Sequence, residues 1–135
     1  MNLAALGCRL FAAAAGVSLC TAACAAEWEP VTDTENAIYL VDRGSVSVAD
    51  GTKHAWVLVT GPYGRGLPDY GSRTQFMVFN CNDHAVALKE YVLHALPGGQ
   101  GAVLLSEAYE DSKLEFTRPG PDSVGSKLLG AVCGQ

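Results

Sequence analysis

From Ala37 onward, short runs rich in Val, Leu, Tyr and Phe alternate with clusters of Gly, Pro, Asn and Asp. This is the punctuation of strands joined by turns. Residues 37–42 (AIYLVD) and 45–49 (SVSVA) form a first stretch bent at Gly44. Asp50-Gly51 is a tight-turn dipeptide, and residues 53–60 (KHAWVLVT) return with Ala55, Val57 and Val59 on one face and Trp56 and Leu58 on the other. Apolar residues on both faces mark that strand as central. Residues 61–72 (GPYGRGLPDYGS) carry four glycines and two prolines and form the longest loop, without regular structure.

Strands at 73–81 and 85–95 follow, joined by an Asn82-Asp83 turn, and residues 102–109 pair back after the turn Pro97 to Gly101. Residues 85–95 also suit a helix by residue preference, but the turns at both ends and Val86, Tyr91 and Val92 favour a strand. A last short strand is expected at 114–118, stopped by Pro119-Gly120-Pro121. There the period changes: Val124, Leu128 and Val132 recur at i, i+4 and i+8, so Asp122 or Ser123 caps a helix of about ten residues. The expected fold is α+β, a small antiparallel sheet packed against a C-terminal helix.

The first 26 residues break this pattern. One positive charge at Arg9, an apolar run from Leu10 to Leu19 and small residues from Thr21 to Ala26 have the layout of a secretory signal. The chain therefore divides into a signal at 1–26 and a single domain at 27–135. Two processing readings compete. Small residues at Ala23-Cys24-Ala25 and Cys24-Ala25-Ala26 suit cleavage to a soluble product. Thr21-Ala22-Ala23-Cys24 is a lipobox with Thr where an aliphatic residue is usual, and processing there would anchor Cys24 to a membrane by lipid. Both place the domain outside the cytoplasm, in the periplasm or secreted in the first case and on the outer membrane in the second.

That location decides the cysteines. Cys8, Cys20 and Cys24 belong to the leader, leaving Cys81 and Cys133, and two thiols in an oxidising compartment pair. Closing the loop between them would stabilise the fold by about 4 kcal/mol in the chain-entropy model, and it would tie the end of the helix to strand 73–81. The formal net charge is −5, and loss of Arg9 makes the domain more acidic still. A nucleic-acid partner, which needs a cationic face, is not expected.

Catalytic signatures are lacking. There is no GxSxG elbow or CxxC pair, and His54 and His94 have no metal-ligand spacing to each other or to His84. Neither catalytic residues, a metal nor a cofactor is expected. Asp42-Arg43-Gly44-Ser45 reads as a structural turn, Asp83-His84 as a solvated one, and Trp56 as a core residue. The loop 61–72 is the binding candidate, because Tyr63, Arg65 and Tyr70 are residue types that anchor interfaces and its glycines let the backbone adapt.

The order Trp28, Tyr39, Asp42, Ser45-Val46, Trp56, Tyr70-Gly71-Ser72, Cys81, Pro121-Asp122-Ser123 and Cys133 resembles the surface-adhesin protein E family of bacterial secreted proteins and lipoproteins. One cysteine ends a mid-chain strand and the other closes the chain; Phe116 stands where the family's pattern suggests Trp. The resemblance implies a small sheet stapled to a helix by one disulfide, and a noncatalytic protein that binds a protein or another extracytoplasmic ligand, host extracellular-matrix proteins in the namesake case. Two further readings stand beside it: a periplasmic inhibitor or envelope accessory protein using the same loop, and, more remotely, a small enzyme.

Overall fold

The computed structural model describes residues 25–134. Seven strands form one antiparallel sheet: β1 (Trp28–Asp33), β2 (Ile38–Asp42), β3 (Ser47–Ala49), β4 (Thr52–Thr60), β5 (Ser72–Asn80), β6 (Ala85–Leu96) and β7 (Gln100–Ala108), followed by one helix, α1 (Val124–Cys133). The spatial order is β1-β2-β4-β5-β6-β7, and β3 pairs with β4 beside β2. The bend expected at Gly44 is a short 3-10 turn, Arg43–Ser45, which hands the chain from β2 to β3. Both strands pair with β4, β3 through Thr52 to His54 and β2 through Val57 to Thr60.

β4 is central because both its faces are apolar. Ala55, Val57 and Val59 are buried on the helix side with Met77, Phe79 and Val86, against Leu128, Leu129 and Val132 of α1. Leu58 is buried on the other side, while Trp56 is only half-buried and lies against Phe76 with ring centroids 5.2 Å apart. Ser123 caps α1 by accepting from the Ser126 amide, and the bond Cys81–Cys133, with Cα atoms 5.6 Å apart, joins the end of β5 to the end of the helix. Asp50 and Gly51 both take positive φ (51° and 77°), as a two-residue hairpin turn requires.

Three local features add to or change what the sequence led us to expect. Residues 28–33, which carry no clear alternation, are β1; Val31 packs against the core, and Trp28 to Asp33 run along β2 with a register shift between Pro30 and Thr32. Residues 114–118 are not a strand. Thr117 makes one bridge to Val86, and Leu114 and Phe116 instead cross the outer face near His54 and Val78. The loop 61–72 is irregular as expected apart from a tight turn from Pro62 to Arg65, in which Tyr63 and Gly64 take positive φ (56° and 71°), and from Ser72, which opens β5. Cys24, the lipidation candidate, and residues 1–24 of the leader lie outside the described residues.

Candidate functional site

The loop joining β4 to β5 begins and ends where the backbone has no room for a side chain. A Cβ at Gly61 would collide with the Arg65 carbonyl, and one at Gly71 would strike the Leu96 backbone. Between these fixed ends Leu67 packs against the core, and its amide donates to the Gly71 carbonyl at 3.1 Å. Gly71 in turn donates to the His94 carbonyl at 2.8 Å.

Ser72 then acts as a buried knot. Its hydroxyl donates to the Leu96 carbonyl at 2.6 Å and accepts from the Gly99 amide at 2.8 Å, so the β4–β5 and β6–β7 loops are held together at one end of the sheet. This gives Gly71 and Ser72 a structural explanation. Buried polar groups that are fully paired fix a single geometry.

Such an anchored base carries an exposed tip. Tyr63 is 93 % exposed and sits at φ 56°, ψ 35°, a left-handed conformation uncommon for an aromatic residue. The Arg65 amide closes the turn on the Pro62 carbonyl at 3.2 Å, and the guanidinium lies 5.9 Å from the centre of the Tyr63 ring, within cation–π range. Neither ion pair among the described residues involves Arg65.

Tyr63 and Pro62 form one wall of an open cleft of about 400 Å³, whose other residues are Pro30, Val31, Thr32 and Asp33 of β1 and Ile38 of β2. Arg65 borders a smaller one of about 170 Å³ with Glu35, Asn36, Pro62, Gly66 and Pro68. The pair of clefts offers apolar walls, one aromatic ring, one cation and two carboxylates, Asp33 and Glu35. It suits a polypeptide side chain more than a reaction. Of the three candidate residues, Tyr63 and Arg65 come together, whereas Tyr70 is half-buried nearer the base. The walls from residues 30–38 went unseen in the sequence, because they reach the loop only through sheet pairing.

The histidines are occupied elsewhere. His54 Nε2 meets the Thr52 hydroxyl at 2.9 Å, His94 Nε2 meets the Thr74 hydroxyl at 2.8 Å, and His84 takes positive φ at a turn. Among the described residues no group of three His, Cys, Asp or Glu lies close enough to hold a metal. No described helix is long and apolar enough to cross a membrane.

Comparison with known folds gives the same architecture. Crystal form II of Haemophilus influenzae protein E matches with a TM-score of 0.53 at 19% identity, over 82% of this chain and 96% of that one. Protein E from non-typeable Haemophilus influenzae matches with a TM-score of 0.55 at 19% identity, over 79% and 75%. At this identity the likeness concerns the fold alone. No match was found among curated proteins. The family model of surface-adhesin protein E matches residues 28–134, from the first residue of β1 to the residue after the second disulfide cysteine, and the chain belongs to that family.

Proposed function

We propose that this protein is a noncatalytic extracytoplasmic adhesin domain that binds a protein partner, of the kind host matrix proteins offer, through the tip of the β4–β5 loop. The observation that carries the reading is Tyr63, fully in solvent on a turn whose base is rigidly anchored, with the Arg65 head beside it and open clefts on either side. Aromatic and Arg side chains presented on a preorganised base lose little entropy on binding. Family membership supports the adhesive role, and the leader pattern supports an extracytoplasmic location.

The test is a binding isotherm of the mature chain on coated matrix proteins, beside the same measurement on extracts of the bacterial envelope. Tyr63→Ala and Arg65→Ala are expected to weaken matrix binding at least about tenfold each, the size of an interface anchor, while the melting temperature holds. Saturable binding to an envelope enzyme, with inhibition of that enzyme and none to matrix, would replace this reading by the periplasmic inhibitor. Full affinity in both variants would remove the loop from the site.

A further inference from the structure

β5 runs inside the sheet, between β4 and β6, yet it carries an arginine and a glutamine. Alternation along the strand puts Arg73, Gln75, Met77 and Phe79 on one face, the face that α1 covers. Met77 and Phe79 join the core beneath the helix, and on β5 that core stops short of Gln75 and Arg73. In the register, Val57 and Tyr91 flank Gln75, and Val59 and Leu93 flank Arg73. One strand further out, Glu107 lies opposite Tyr91 and Leu105 opposite Leu93.

The protein satisfies neither polar side chain fully. Gln75 is 7 % exposed, and the one bond from its carboxamide runs from Nε2 to the Met77 thioether at 3.0 Å, a weak acceptor. Arg73 is half-buried, and its Nε is the only buried side-chain nitrogen or oxygen without a partner among the described residues. Neither ion pair of those residues includes it. Glu107 is engaged instead by the Tyr91 and Tyr109 hydroxyls. Buried polar groups are nearly always paired, and a partly dehydrated cation without a counter-ion costs stability. Apolar side chains at both positions would pack beside Val57 and Val59 without that cost.

From this pair we infer a second binding site, in which Arg73 and Gln75 receive the carboxyl end of a polypeptide. A carboxylate accepts two parallel hydrogen bonds from a guanidinium, and with Nε buried those bonds come end-on from the two Nη atoms. Gln75 then adds a donor to the carboxylate or an acceptor for the N–H beside it. One guanidinium in an acidic chain matches a single negative charge better than the nearly two of a phosphate. The Arg73 charge lowers the Tyr91 pKa against the raising influence of Glu107, which places the cation near that hydroxyl. Leu93 and the 43 % exposed Leu105 continue the same face. They suit an apolar last residue better than the short stem of an acidic side chain. The Tyr63 cleft is walled by β1 and β2, so the two sites are separate.

NMR of the mature chain, following the Arg73 Nε–H and the Gln75 carboxamide, tests the proposal with N-acetyl-leucine and its uncharged amide as probes. No macromolecular partner is needed, so failure here is distinct from failure of the adhesive reading. Saturable shifts at Arg73, Gln75 and the Tyr91 amide are expected with the acid, at a dissociation constant of about 1 mM, and none with the amide. N-acetyl-glutamate α-amide, which offers only a side-chain carboxylate, should bind more weakly. Arg73→Met and Gln75→Met should abolish or weaken the response and raise the melting temperature by about 2 °C or more, because each removes an unpaired polar group. Arg73→Lys should keep the charge and lose most of the affinity, whereas Tyr63→Ala should change nothing. An absent response overturns the proposal, as does an equal response to the leucine amide or to inorganic phosphate, or an Arg73→Met variant that still binds the acid. A lower melting temperature in Arg73→Met would make the arginine a structural residue and overturn it as well. Equal binding of the glutamate probe would assign the site to acidic side chains and overturn the choice of a chain end.

Discussion

The Arg43 guanidinium donates to the Ala131 carbonyl at 2.7 Å, joining the turn after β2 to the last turn of α1 across 88 residues of chain. The same side chain holds Glu29 of β1 through Nε at 2.9 Å and Nη2 at 3.1 Å. Lys53 of β4 does likewise for the next carbonyl, donating from Nζ to Val132 at 3.1 Å. The final carbonyls of a helix lack partners within it, and the helix dipole makes that end negative. Two cations from the sheet satisfy both needs and set the helix across β1 and β4. Asp42, which accepts from the Gly44 and Glu27 amides, shapes the turn that aims Arg43.

Arg43→Ala should therefore destabilise the fold by about 1–2 kcal/mol, the scale of a hydrogen bond from a charged donor plus a favourable dipole contact. Arg43→Lys should recover only part of this, because a lysine cannot hold Glu29 through two nitrogens and reach Ala131 as well. Urea midpoints on the three proteins measure it. Equal stability of all three would mean that the helix end gains nothing from the turn.

Replacing Cys81 by Ser, or reducing the Cys81–Cys133 bond, should cost about 3–4 kcal/mol through the freed denatured chain. The helix should nevertheless stay docked at low temperature, since Leu128, Leu129 and Val132 are buried and Arg43 and Lys53 grip its end independently. Circular dichroism should show an unchanged native spectrum and an earlier melt. Loss of the helical signal before heating would show that the disulfide alone keeps α1 in place.

Counting cysteines was enough to name the disulfide, and the alternation in β4 and the stripe in α1 named the faces that meet in the core. Those signals are local or depend only on compartment. β1 was not legible, because in Trp28-Glu29-Pro30-Val31-Thr32-Asp33 the strand formers Trp28, Val31 and Thr32 keep no period of two and are interrupted by Glu29, Pro30 and Asp33, so the segment becomes a strand only where β2 and α1 receive it. Residues 102–109 read as a strand but gave no hint of their exposure. Burial depends on what lies over a face, and a helix of ten residues lies over β1, β4, β5 and β6. For the candidate site, glycine, proline and tyrosine located the loop; its clefts needed Pro30 to Ile38, which are distant in sequence.

Acid should loosen the fold. Arg43, by its hydrogen bond and then its charge, holds the Glu29 carboxyl below its usual range, and Lys89, at 2.6 Å, does the same for Asp111. A carboxyl whose folded pKa is lowered contributes stability that is present above the unfolded value of about 4 and is lost as pH falls through the folded one. Both pairs are substantially exposed, so each effect is small. Urea midpoints should fall between neutral pH and about pH 3, and Asp111→Asn should lower stability at neutral pH while shrinking the difference between the two.

Alkali acts through the β6–β7 pair, with the opposite sign. The Tyr91 hydroxyl donates to Glu107 Oε2 at 2.8 Å and Tyr109 donates to the same oxygen at 3.3 Å. Tyr91 is raised chiefly by that hydrogen bond, and Tyr109 chiefly by burial with the Glu107 charge next. A tyrosine whose folded pKa is raised stabilises fully below its unfolded value of about 10, and the contribution disappears as pH climbs through the folded one. Phenolate absorbance should rise late in the native protein. Glu107→Ala should bring the Tyr91 transition down toward the ordinary value, and an unmoved transition would mean that Glu107 is not its partner.

Tyr63 separates stability from function most sharply. At φ 56° and ψ 35° a residue with a Cβ is strained by about 1–2 kcal/mol relative to glycine, which adopts this region freely. Its ring is 93 % exposed, so removing it uncovers nothing beyond the distant Arg65 contact at 5.9 Å. Tyr63→Gly should accordingly stabilise the fold by up to about 1 kcal/mol, the relief of strain exceeding the added freedom of the unfolded chain. Tyr63→Ala keeps the strain and should be nearly neutral. Both should lose binding to the same extent if the ring is the anchor. A melting temperature that rises only for the glycine variant, together with equal loss of affinity in both, would mean that the strained turn is retained for the ring it presents. If Tyr63→Gly instead melts earlier than the native chain, the turn depends on the ring for its stability, and the ring is not a free anchor.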